Sequence, residues 1–151
     1  MNIAKTLEQY NDESVYFCEP IKNNIMLDSN FIRILYSNHM MTLTGIYLII
    51  NINELICEKY YNKFKCIFNP NTHVEIIEKL KNIEYKILCK SEIRNKIPQY
   101  KINDQLKNGI IKIFYELETK TTTTFLLKIS GIWETQYNYG LTYKFIAVQN
   151  S

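Results

Sequence analysis

Glycine and proline are scarce in this chain, at 4 and 3 of 151 residues. So little of either argues against a long flexible linker. The glycines Gly45, Gly109, Gly131 and Gly140 are dispersed, which excludes the clustered backbone cradle of a G-x-x-x-x-G-K-[ST] phosphate loop. Histidine occurs twice, as His39 in a turn segment and His73 at a helix start, and both are expected at the surface. No H-E-x-x-H motif and no H-x-E with C-x-x-C is present, so no metal site is expected. The cysteines Cys18, Cys57, Cys66 and Cys89 never stand at C-x-x-C spacing, and reduced thiols are expected rather than disulfides or zinc ligands. No G-x-S-x-G nucleophile elbow occurs. The close carboxylates Asp12-Glu13 and Glu116-x-Glu118 lack neighbours that would tune them. The longest apolar run, Gly45 to Ile50, is far too short to span a bilayer. These absences predict a chain with no catalytic centre and no cofactor, located inside the cell rather than secreted, and not held in a membrane.

What is present suits one folded domain. Hydrophobic residues make up 46%, enough for a sizeable core at this length. Asn, Ile, Lys and Tyr are abundant, a bias that AT-rich coding produces. The net charge is +3, below that of a dedicated duplex-DNA binder. Its distribution is uneven. Residues 1–30 are acidic, with Glu8, Asp12, Glu13, Glu19 and Asp28 against Lys5 and Lys22. Residues 79–101 are basic, and contain Lys90, Arg94 and Lys96 with only Glu84 and Glu92 opposing. Such a segment draws polyanions toward it.

Along the chain, residues 1–14 form a polar N-terminal segment. Val15 to Cys18 starts a strand that Pro20 ends. Asn30 to Asn53 alternates as two long strands around Ser37-Asn38-His39, with a bend at Gly45. Tyr60 to Phe68 reads as one strand. Thr72-His73-Val74-Glu75 matches a capping box, opening a helix to about Cys89 whose stripe Ile76, Leu80, Ile83 and Ile87 faces the core. Ser91 to Asn108 reads as a long polar loop. Ile110 to Glu118, Thr123 to Trp133 and Leu141 to Gln149 complete the strands. The expected fold is mainly β with one α-helix. Residues 15–151 would form a single OB-like domain, a five-stranded barrel with a helix inserted after the third strand. An open antiparallel sheet or sandwich with one packed helix is the alternative.

Rings and cations remain as the chemistry on offer: twelve Tyr, seven Phe and one Trp among the lysines. Single-stranded nucleic acid binds through this combination, with bases stacked on rings and phosphates beside cations. Tyr61, Lys63 and Lys65 share a strand parity, and Arg33 stands near Tyr36. In the last two strands Phe125, Leu127, Ile129 and Trp133 share one parity, as do Leu141, Tyr143, Phe145 and Ala147, while Lys128 and Lys144 take the other. Trp133 is then either a core plug or a stacking platform.

Leu127-Lys128-Ile129-Ser130-Gly131-Ile132-Trp133, a polar linker and Gly140-Leu141-Thr142-Tyr143-Lys144-Phe145 resemble the last barrel hairpin of the phage-type single-stranded DNA-binding proteins, which have relatives in large nucleocytoplasmic DNA viruses. About 25 residues carry the resemblance; elsewhere only the order of elements matches. It implies a non-catalytic OB-fold protein that coats single-stranded DNA in viral replication, recombination or repair. Its contacts would be Arg33, Tyr36, Tyr61, Lys63, Lys65, Lys128, Trp133, Tyr139 and Lys144, with Lys90, Arg94 and Lys96 steering. The family's acidic tail, which recruits replication proteins, has no counterpart in the closing residues from Phe145 to Ser151. Expected partners are single-stranded DNA or RNA, replication proteins and a second copy in a homodimer. Two other readings stay open: a structural or interaction module, such as a minor virion or assembly protein, and a small enzyme whose site no motif reveals.

Overall fold

A computed structural model of the chain describes residues 3–22, 28–113 and 124–148. Among these the strands are β1 (Val15–Phe17), β2 (Ile21–Lys22), β3 (Asn30–Ser37), β4 (Thr42–Thr44), β5 (Ile46–Asn51), β6 (Ile56–Tyr60), β7 (Lys63–Ile67), β8 (Ile97–Gln99), β9 (Ile110–Ile113), β10 (Thr124–Glu134) and β11 (Asn138–Val148). The helices are α1 (Val74–Lys90) and α2 (Lys101–Lys107).

The strands follow from two-residue alternation. Ile32, Ile34 and Tyr36 of β3 point inward between exposed or half-buried neighbours, as do Ile46, Leu48 and Ile50 of β5. Gly45, at φ +109°, breaks the chain between β4 and β5. That left-handed turn lets β4 pair with β3 while β5 crosses to β10. β10 thereby has two partners on one edge: its first half pairs β5 and its second half pairs β3. The other edge carries β11 along its whole length. Sharing one long strand between two neighbours curls the eight-stranded sheet into a half-barrel. A separate three-stranded sheet runs β6–β7–β9. α1 contributes Ile77, Leu80, Ile83, Ile87 and Leu88 to the same buried core that holds Phe125, Leu127 and Phe145 of the sheet.

The molecule is mainly β, as its alternation predicts, but several local expectations change. There are two α-helices among the described residues rather than one. α2 lies within the segment expected to be loop, because its N-terminus is satisfied by a distant side chain: Ile102 N and Asn103 N donate to the Glu84 carboxylate, each at 3.0 Å. The expected capping box does not form. Thr72 belongs to a 3-10 turn and its hydroxyl donates to Asn69 O, so α1 starts at Val74 with His73 as its N-cap residue. His73 is buried rather than exposed; its Nε2 accepts from Asn53 N at 3.1 Å, which leaves Nδ1 to carry the proton. His39 is exposed.

The single strand expected from Tyr60 to Phe68 is the second half of a hairpin, with its turn at Tyr61-Asn62. Tyr61 sits there at φ +54°. Of Ile110 to Glu118, the described strand covers Ile110–Ile113; Glu116 and Glu118 lie outside the described residues. The N-terminal segment is docked onto the sheet. Lys5 forms a bridge with Leu48, and the Tyr10 ring stacks on Tyr36 at 5.9 Å. No helix among the described residues is long and apolar enough to cross a membrane.

Candidate nucleic-acid interface

The outer face of the curled sheet is set by one irregularity in β10. Register with β11 shifts between Ile129 and Gly131, a β-bulge that leaves Ser130 unpaired. Upstream, Phe125, Leu127 and Ile129 face the core; downstream, Ile132 does. Strict alternation would send Trp133 inward with Ile129. The bulge reverses that parity and turns Trp133 to the outer face, where Lys128 also stands.

Two rings lie over glycines on this face. Phe31 is the cross-strand partner of Trp133, and its ring covers Gly131 so closely that an added Cβ there would come within 2.6 Å of Phe31 Cζ. Trp133 covers its partner Gly140 in the same way, at 2.8 Å from Cζ2. Both rings are thus seated on bare backbone. A cation sits against each: the Arg33 guanidinium is 5.9 Å from the Phe31 centroid, and Lys101 Nζ is 5.7 Å from the Trp133 ring.

Further along β10, Lys128 and Lys144 are direct cross-strand partners, and Lys128 Nζ stands 5.5 Å over the ring of Tyr47 on β5. Like charges directly opposite each other in a ladder are destabilising. No acidic residue occupies the outward positions of β3, β5, β10 and β11 that surround them. Among the described residues, the ion pairs include none of Arg33, Lys101, Lys128 or Lys144. The face is therefore a cationic strip with three rings and no internal counter-charge.

No protein family, curated protein or solved structure matches the chain.

Of the residues expected to contact nucleic acid, Arg33, Lys128, Trp133 and Lys144 meet on this face. Tyr36 and Tyr139 do not. Both rings are buried, at 4% and 8% exposure, and the Tyr36 hydroxyl accepts from Asn11 N at 3.0 Å. Stacking on either would require opening the core. Tyr61, Lys63 and Lys65 belong to the other sheet, where Tyr60, Lys63, Phe64, Lys65 and Lys112 line a hollow of about 260 Å³. Tyr61 is 81% exposed at the hairpin tip, with its ring edge-on to Tyr60 at 4.7 Å.

Part of the basic segment expected to steer is paired with acidic residues packed beside it. Lys79 pairs with Glu8 and Glu75, and Lys86 with Asp12. Lys90 donates to Asp12 O at 2.8 Å. Lys96 pairs with Glu134 at 2.9 Å; although burial opposes it, that ammonium and the Asn30 amide hold the Glu134 carboxyl below its usual range. Arg94 remains exposed beyond α1. Phe31, Tyr47 and Lys101 join the face without having been singled out in the sequence. For Phe31 the available signal was its shared parity with Arg33. Lys101 reaches Trp133 only because Glu84 seats the start of α2.

Proposed function

We propose that the chain binds single-stranded nucleic acid on the outer face of its curled sheet, without catalysis. The observation that carries this is the Lys128–Lys144 pair beside Arg33–Phe31 and Lys101–Trp133, with no carboxylate at the outward positions of β3, β5, β10 and β11. A phosphate placed between the two ammonium groups relieves their repulsion, and bases stack on rings already fixed in place. Such contacts tolerate any base, so sequence preference is low. An OB-type barrel is the finer architecture that goes with this reading, supported by the curl of the sheet around β10. Single-stranded DNA is the proposed ligand, and a role in replication, recombination or repair rests on the hairpin resemblance.

The single tryptophan makes the test direct, because its fluorescence reports on the face itself. Titration with oligo-dT is expected to quench Trp133 with a Kd tighter than about 100 μM at low salt, weakening as salt rises. Weaker binding, or binding indifferent to salt, overturns the proposal.

A protein partner is the second reading, favoured by one feature of the same face. Ile49, Leu126 and Ile146 form a cross-strand row that is only half buried. A stable oligomer by light scattering, together with no oligo-dT quenching, selects that reading instead.

A further inference from the structure

Cys57 and Cys66 play no part in the cationic face. They are direct Cα partners on the antiparallel strands β6 and β7, and their sulfurs stand 2.9 Å apart. Direct partners in such a ladder have Cα separations of about 4.5–5.5 Å. That lies inside the range of roughly 4.4–6.8 Å that disulfides span. A bond between them needs side-chain rotation and no backbone movement. The remaining cysteines differ: Cys18 follows β1 and Cys89 is exposed near the end of α1, and neither faces another thiol among the described residues.

We propose that Cys57 and Cys66 are a thiol pair that closes to an intramolecular disulfide by exchange with an external disulfide, either a small molecule or a protein. Cys57 is the entry point. It is half buried on β6, the outer strand of its sheet, whereas Cys66 is fully buried. Burial, and then the neighbouring Cys57 sulfur, push the Cys66 thiol up, so Cys66 stays protonated while Cys57 attacks. The Cys57 thiol gives its proton to water, and its sulfur attacks RS–SR, displacing RS⁻. Cys66 sulfur then attacks the Cys57 sulfur of the mixed disulfide, its proton leaving with the second RSH. Two protein thiols are oxidised and one external disulfide is reduced to two thiols.

The bond would clamp a weakly held element. On β6 only Cys57 is partly buried; Ile56, Glu58, Lys59 and Tyr60 are exposed. β6, which leads into the turn displaying Tyr61, is thus held to the more buried β7 by its ladder and this one position, and opens more readily than the core.

The test uses the full chain carrying Cys18→Ser and Cys89→Ser, equilibrated with oxidised glutathione, blocked with a maleimide and digested with trypsin without reduction. Lys59, Lys63 and Lys65 separate the two cysteines, so a disulfide joins the peptide ending at Lys59 to the one beginning at Cys66. That linked pair is expected, with slower amide exchange over residues 56–67 and a Tm raised by roughly 5 °C for so short a loop. Recovery of both thiols as maleimide adducts overturns the proposal. So does glutathione left on Cys57, or a link that forms only in denaturant. None of these readouts depends on nucleic-acid binding.

Discussion

The carboxylate of Glu84, in the middle of α1, receives the backbone N–H of Ile102 in the first turn of α2 at 3.0 Å. Asn103 N donates to its other oxygen. Glu84 is 1% exposed and has no cation among the partners described, so burial dominates and pushes its carboxyl up to about 7. The two backbone donors pull the other way, and the nearby Asp104 adds to the rise. In the folded chain the proton is therefore held more tightly than in the unfolded chain, where the ordinary value is 4.5. The stability that Glu84 contributes is greatest below that ordinary value, declines as pH climbs toward 7, and is level above it, a change of about 3 kcal/mol at most. Thermal melts across this window are expected to show Tm falling with rising pH. Glu84→Gln removes most of that slope while lowering stability, since its amide presents N–H to one of the two backbone donors.

Lys144→Ala separates folding from binding. Removing one of two opposed lysines is expected to raise stability by a few tenths of a kcal/mol. The same change weakens oligo-dT binding and reduces the salt slope by about one phosphate contact. Denaturant melts and titrations at two salt concentrations measure both. Lower stability with unchanged binding removes Lys144 from the proposed interface.

Gly131→Ala tests the ring seat. A Cβ there would lie 2.3 Å from Ile32 O and 2.6 Å from Phe31 Cζ. A ring can rotate, but the carbonyl belongs to the β3 ladder and cannot yield cheaply. A loss of more than about 2 kcal/mol in urea unfolding is expected.

Tyr61→Gly is expected to be tolerated or mildly stabilising, against the usual cost of removing a large side chain. The ring is 81% exposed and the backbone stands at φ +54°. Relief of left-handed strain, about 1–2 kcal/mol, exceeds the backbone entropy that glycine adds, about 0.5–1 kcal/mol. Equilibrium unfolding checks the sign. If Tyr61 also stacks on a base, the same variant loses affinity without losing stability.

Strand positions were legible wherever one face is buried and the other solvated, as in Phe31 to Tyr36 and Phe125 to Ile129. So was the α1 stripe, where Leu80, Ile83 and Ile87 recur at helical spacing and are buried. Ile56 to Tyr60 was not legible as a strand, because an edge strand with one half-buried residue carries no alternation to read. α2 was illegible for a different reason: seven residues are too few to hold a helix by propensity, and the group that satisfies its N-terminus lies on α1.

The local order of the chain determined a β-rich domain, a long amphipathic helix, and the placement of Arg33, Lys128 and Lys144 away from the core, because side-chain periodicity follows directly from backbone geometry. Tertiary structure alone decided which rings those cations meet. One unpaired residue, Ser130, reversed the parity of everything after it in β10 and brought Trp133 outward, while a carboxylate from α1 set Lys101 above it. A bulge and a long-range cap are properties of paired strands and packed helices, and neither exists until the distant partner is in place.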